Sequence, residues 1–263
     1  MFAGRDLSID LYDVVYHGRV DEHVFHVYRD VKGKMRPSHR YGLASVTGRG
    51  FFFSLGILPI ARGDSGGKTV DWLLGRSLET FRPRTVLMDR GFYSLEVFEA
   101  VEDRDLKYIV PGKSGDRMDE LYKESLLRGK SVSEYMMYGK KNGGRAWKRL
   151  TVFFQEDPEF EYNSYFTNHK INEKDVEQLA LRYAKRGNIE NNIKAKNHVK
   201  PRTSSTHLQY RFLLQTISLI LTNLWRYLVI TLRLQEEKEM PVTQDSFNHI
   251  LKKILETKTS VRT

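Results

Sequence analysis

The sequence predicts an α/β protein built on a mixed sheet flanked by helices. Strand-like runs come first and together, at residues 7–12, 40–47 and 51–60, and helix-like and strand-like segments alternate from residue 69 to 110. The chain's 263 residues suffice for one large core, or for a core carrying an inserted module.

Residues 7–12 alternate apolar and polar side chains, as a strand with one buried face does. Residues 40–47 and 51–60 are β-rich runs separated by Gly48-Arg49-Gly50, which reads as a hairpin. Residues 69–81 place Val70, Leu73, Leu74 and Leu78 at helical spacing before Pro83 breaks the run. Residues 85–88 are continuously apolar, the pattern of a strand buried on both faces. Ser94 can cap a following helix that runs to about Asp103, and residues 108–110 supply another strand before Pro111-Gly112. The next segment, to about residue 170, is charged and turn-rich, with β-like pieces at 147–154 and 162–166 and a hairpin tip at 140–145. A long helix then spans roughly 173–197, Pro201 ends it, and an apolar helix over 206–234 packs back on the core. The expected division is a core of residues 1–111 and 171–235, a β-rich basic insertion at 112–170, and a charged peripheral tail at 236–263.

A net charge of +10 and a pI near 9.6 favour a polyanionic partner, since neutralising phosphates releases condensed counterions. The absence of cysteine excludes disulfide frameworks, thiolate zinc sites and thiol catalysis. The first residues lack the apolar core of a signal peptide, so a cytoplasmic, nucleoid-associated protein is expected. The apolar run 212–232 is long enough to span a bilayer. It carries Gln215, Ser218, Thr222, Asn223 and Arg226, however, and a mid-span arginine is costly in lipid, so a buried core helix is expected and no membrane partner.

Candidate chemistry resides in three carboxylates. Asp10 lies mid-strand, between Ile9 and Leu11; Asp89 ends the apolar strand that would lie beside it, followed by the turn-permitting Gly91. Asp13 competes with Asp10, but alternation points it to the opposite face. Glu190 comes from the long helix. Three carboxylates around one point require a cation, which implies Mg²⁺ or Mn²⁺ as cofactor, with two ions about 3.5–4 Å apart serving the attacking and leaving oxygens. At about 100° per residue, Tyr183, Arg186 and Glu190 share one helical face that continues through Lys194 to Asn197. An arginine fork and a phenol beside a metal-binding carboxylate would grip phosphates. The same spacing equally suits an ordinary helix with an Arg186–Glu190 pair.

Tyr183-x2-Arg186-x3-Glu190 resembles the YREK signature of DDE transposases of the insertion-sequence-four type. Residues 86–94, Val-Leu-Met-Asp-Arg-Gly-Phe-Tyr-Ser, resemble that family's second-aspartate motif, and Ile9-Asp10-Leu11 its first. Residues 162–168 resemble the strand leading out of its β-rich insertion, and residues 219–225 its closing helix. The resemblance implies a ribonuclease H-like fold, with a β-rich insertion before the last catalytic helix, that cleaves double-stranded DNA at transposon ends and joins it to a target. It implies that Asp10 bridges two metal ions while Asp89 and Glu190 each hold one, and that Tyr183 and Arg186 hold terminal phosphates. It further implies a homodimer on paired ends, with the insertion lying along the DNA and no nucleotide cofactor. Two departures stand out. Asn197 occupies the position of the signature lysine, for which Lys194 could substitute one turn earlier on the same face, and only nine residues precede Asp10, where the family carries a DNA-binding region.

Two other readings compete. A DNA-binding remnant without catalysis would share the charge and salt-sensitive binding. A nucleotide hydrolase is suggested by Gly63-Asp64-Ser65-Gly66-Gly67-Lys68-Thr69, but that loop is one residue short of a phosphate-binding P-loop. His17, His23, His26 and His39 read as surface or core-edge residues, with His17 and His39 near loops, and Phe51-Phe52-Phe53 reads as core strand rather than a stacking platform.

Overall fold

The strand order of the sheet positions everything else. The computed structural model describes residues 4–28, 35–48, 51–141, 144–157, 161–187, 203–235 and 245–249. Nine strands form one sheet: β1 (Asp6–Val15), β2 (Val24–Tyr28), β3 (Met35–Gly48), β4 (Phe51–Ile60), β5 (Val86–Met88), β6 (Tyr108–Pro111), β7 (Val132–Lys141), β8 (Gly144–Asp157) and β9 (Glu161–Thr167). The helices are α1 (Gly66–Leu78), α2 (Leu95–Glu102), α3 (Asp116–Leu127), α4 (Val176–Ala184) and α5 (Leu208–Gln235).

The order is β2-β3-β1-β5-β6-β9-β8-β7, with β4 also paired to β3. β2 takes the first part of β3, Met35–His39, and β4 the remainder, Arg40–Gly48. β1, β5 and β6 are mutually parallel, and every other pairing is antiparallel. Parallel neighbours need crossover connections, and α1 and α2 lie in those connections. The mixed sheet and its flanking helices are compatible with a ribonuclease H-like core. β9, β8 and β7 continue the same sheet past β6.

Each face of the sheet has its own apolar layer. Leu7, Ile9, Val86 and Met88 join Val70, Leu73 and Leu74 of α1 and Val97, Phe98 and Val101 of α2 on one side. On the other, Leu87, Ile109, Phe153 and Tyr165 meet Val176, Leu179 and Ala180 of α4, while Tyr12, Tyr41, Leu43 and Ile57 meet Leu219 of α5. The single buried face expected of β1 is therefore wrong over residues 6–10, all of which are buried. A strand covered on both sides can hold polar residues inside only where a partner exists.

Several elements match the sequence reading. The β3–β4 hairpin, α1, β5, β6, β8 and β9 lie where local pattern put them, and Ser94 caps α2 by accepting from the Val97 amide. Others do not. The hairpin tip at 140–145 joins β7 to β8, although β7 itself was not picked out as a strand, β2 falls in a region read only as β-like or turn, and α3 was not expected; α3 buries only Met118, Tyr122 and Ser125, too sparse a stripe to stand out in a charged segment. The described part of the long helix is α-helical over α4 and tightens to a 3₁₀ turn at Lys185–Gly187, and the rest of the expected span lies outside the described residues. α5 is buried along one side only, not throughout. Residues 245–249 are helical, and Phe247 is buried against Phe52, Trp225 and Val229, so this part of the tail packs on the core.

Candidate active site

Asp10 and Asp89 are brought together by strand register. β1 and β5 pair Leu7 with Val86, Ser8 with Leu87 and Ile9 with Met88. The next step along each strand is Asp10 and Asp89, on the same face because paired residues of parallel strands point the same way. Each carboxylate is oriented by a backbone amide through Oδ1. The Leu11 N–H donates to Asp10 at 2.8 Å. Asp89 caps the 3₁₀ turn Arg90–Phe92 by accepting from the Gly91 N–H. A Cβ at Gly91 would sit 2.8 Å from that Asp89 oxygen, so glycine is the residue that lets the carboxylate lie over the turn.

Both remaining oxygens face one guanidinium. Arg186 donates from one Nη to Asp10 Oδ2 at 3.0 Å, and the same nitrogen lies 3.6 Å from Asp89 Oδ2. The arginine arrives from the 3₁₀ turn after α4, whose inner residues Val176, Leu179 and Ala180 seat the helix on β5 and β6. Tyr183, one turn earlier, packs its ring on Tyr165 at a centroid distance of 5.0 Å and interacts electrostatically with Arg186 and Asp89.

Charge balance follows from burial. The Asp10 carboxyl is pushed up to about 6, first by burial and also by Asp89, with Arg186 opposing. Burial acts to lower Arg186, but Asp10, Tyr183 and Asp89 outweigh it, and the guanidinium is held above its ordinary range. Burial raises the Tyr183 phenol as well. Two carboxylates and one guanidinium leave a net negative cluster at the sheet's interior. Asp89, with 39 % of its side chain exposed, opens it to solvent.

The structure thus assembles Asp10, Asp89, Arg186 and Tyr183. Glu190, Lys194 and Asn197 lie outside the described residues. Asp13 is on the other face of β1, where Arg40 holds it at 3.0 Å. The donor set suits a divalent cation: two hard carboxylates, each pre-oriented by an amide, present one oxygen apiece to a shared positive centre. Among the described residues, no group of three or more His, Asp and Glu is placed to hold a metal ion.

The sequence reading missed a second pair beneath this one. Asp6 and Arg182 are both buried, with Arg182 Nε 3.8 Å from Asp6 Oδ2. Arg182 also donates to Thr85 Oγ1 at 3.2 Å, and Thr85 meets His169 Nε2 at 3.2 Å. The available signal was positional: Asp6 and Asp10 are four apart on one strand, and Arg182 and Arg186 four apart on one helix.

Ser65 caps α1 by accepting from the Lys68 amide, so the glycine-rich loop is the start of a helix. Gly67 is there because a Cβ would lie 2.7 Å from the Glu96 side chain on α2. His39 is not near a loop: it lies within β3, buried and stacked on Tyr16 at 4.3 Å. Phe52 and Phe53 are core residues.

Paired aspartates at the exit of adjacent parallel strands of a mixed sheet form a carboxylate cluster at the sheet edge where ligands of open α/β sheets gather. The family model described as the transposase DDE domain matches residues 64–222. The chain belongs to that family. The matched region includes Asp89, Tyr183 and Arg186, while Asp10 precedes it. No curated protein matches the chain.

Proposed function

We propose that this chain is a transposase of the insertion-sequence-four type that cleaves and joins DNA strands at a site formed by Asp10, Asp89 and Glu190. The observation that carries this reading is the shared register of β1 and β5, which sets two carboxylates side by side. Asp10 and Asp89, joined by Glu190, would hold divalent Mg²⁺ or Mn²⁺. The ion supplies Lewis acidity and offsets charge developing on phosphate oxygens. The chemistry is a phosphodiester displacement performed twice: water attacks phosphorus and releases a 3′-hydroxyl, which then attacks a phosphodiester of the target. Arg186 offsets part of the carboxylates' charge before DNA arrives and can exchange Asp10 for a phosphate, whose oxygens its fork can take in bidentate fashion. Tyr183 buttresses that arginine from the Tyr165 side. The partner is double-stranded transposon-end and target DNA, bound in the cytoplasm by a homodimer. Incubating the protein with end DNA and Mn²⁺ tests this. Wild type should nick the end, and Asp89→Ala and Glu190→Ala should be inert; a wild type as inert as the variants would reduce the chain to a DNA-binding remnant.

A further inference from the structure

Each of the three parallel strands is led in by a cation. Arg5 directly precedes β1, Arg84 stands two residues before β5, and Lys107 directly precedes β6. The chain enters these strands side by side, since the Arg84 N–H donates to the Arg5 carbonyl at 2.8 Å and the Val86 N–H to the Lys107 carbonyl at 2.7 Å. Neighbouring strands lie about 4.8 Å apart, so the three positions cross roughly 10 Å of this edge of the sheet. Lys185, in the turn after α4, adds a further charge, near enough to act on Asp6 together with Arg84 and Arg5. Arg84, Lys107 and Lys185 are exposed.

The neighbouring carboxylates do not cover this edge. Asp6 is buried and turned to Arg182 at 3.8 Å. Asp105, two residues before Lys107, lies 3.5 Å from Arg82. Lys107 donates to the Asn168 carbonyl at 3.3 Å, a neutral partner. His169 registers the local balance: burial comes first among the causes that lower it, and Arg182, Lys107 and Arg84 add to it with no carboxylate opposing them among the described residues. Like charges held this close repel, and a line of anions laid against them turns that repulsion into attraction. Duplex DNA carries one negative charge per about 1.7 Å of its axis, which suits a row of cations, whereas one small anion would meet only part of the row. Asp6 is four strand positions, about 13 Å, from Asp10, so the row lies at the other end of the parallel strands from the carboxylate site.

We propose that the edge formed by Arg84, Lys107 and Lys185 binds the phosphate backbone of duplex DNA away from the point of cleavage, without reading its sequence. This binding rests on the reading of the chain as DNA-acting but not on cleavage. It is therefore measured in EDTA, where an inert catalytic site leaves it readable and where its own failure leaves the cleavage assay unaffected.

The test is the anisotropy of a fluorescein-labelled duplex titrated with the full chain as salt is raised. Each phosphate-bound cation removed lowers the steepness of the salt dependence by about one. Arg84→Gln with Lys107→Gln should lower it by about two and weaken binding roughly 30-fold, by the same factor on a second duplex of unrelated sequence. Arg84→Lys with Lys107→Arg keeps both charges and should bind within about twofold of wild type. Arg76→Gln with Arg128→Gln removes two exposed charges that Glu79 and Glu124 already face, and should leave the steepness unchanged. All three pairs are surface replacements, and their urea midpoints should match wild type. A wild type that does not bind, a salt dependence left as steep by Arg84→Gln with Lys107→Gln, or an equal fall in the Arg76 and Arg128 pair would each overturn the proposal. So would a loss confined to anionic phospholipid vesicles while DNA binding stays intact.

Discussion

Asp6–Arg182 and Asp10–Arg186 are the same two residue types, four positions apart on the same strand and four apart at the same helical end, yet their surroundings differ. Arg182 faces one carboxylate and completes its shell with the neutral Thr85 and, through it, His169. Arg186 faces two carboxylates, one of them partly open to solvent. The first pair holds one carboxylate, whose buried Oδ1 has no hydrogen-bond partner among the described residues, and the second is one positive charge short. Four residues span about 13 Å along a strand but about 6 Å along an α-helix, and the 3₁₀ turn that carries Arg186 stretches the rise to about 2 Å per residue. That stretch adds only about 1 Å between the two arginines, so their long side chains cover most of the difference. The lower pair fixes α4 against β1; the upper pair is what that anchoring positions.

The comparison breaks most sharply at Arg182. Arg182→Met takes from buried Asp6 the strongest of its cations, leaving the weaker pull of Lys185, Arg84 and Arg5, and should cost about 3–5 kcal/mol in urea unfolding, with no recovery on adding Mn²⁺. Arg186→Met leaves Asp10 and Asp89 facing each other; the metal-free protein should lose about 1–3 kcal/mol, and millimolar Mn²⁺ should restore most of it. If the two variants respond alike to Mn²⁺, the distinction between the pairs fails. Gly91→Ala places a methyl group against the Asp89 oxygen that caps the turn. Cleavage should fall roughly tenfold while the unfolding midpoint moves little.

The smallest effect concerns acid. Burial pushes His169 down to about 4, and Arg182 adds to it. A depressed histidine contributes stability that is present above its unfolded value near 6.5 and lost as pH falls toward about 4. Asp10, raised to about 6, has the opposite sign: its contribution is full below about 4 and lost as pH rises through 6. His169→Asn should therefore flatten the acid limb of a stability–pH curve by about 1 kcal/mol and leave cleavage at pH 8 unchanged. An unaltered acid limb would remove His169 from the lower pair.

Much of the core was legible because it is local. The apolar run at 85–88, the periodicity of α1 and the Ser94 cap are written into neighbouring residues, and Asp89 follows directly from its strand and turn. Asp10 was identifiable as a candidate, but its buried state was not, since a pattern cannot show that α4 and α5 cover the second face of β1. The Arg182 anchor depends on a strand and a helix far apart in sequence, so no local window contains it. The 3₁₀ turn at Lys185–Gly187 coincides with Gly187, a poor helix former that the periodic helical reading passed over. α3 escaped because its buried residues are few and separated by charges, and β7 because Met137 is its only buried residue among those described.

Cleavage of end DNA by Asp10→Asn and Asp6→Asn, side by side in Mn²⁺, tests the central claim most directly. Both replacements keep the shape of the side chain and remove one charge. Asp10→Asn should abolish strand cleavage while remaining folded, and Asp6→Asn should cleave at a rate within a few-fold of wild type under conditions where it stays folded. Cleavage that persists in Asp10→Asn, or that vanishes in a folded Asp6→Asn, would place the chemistry elsewhere.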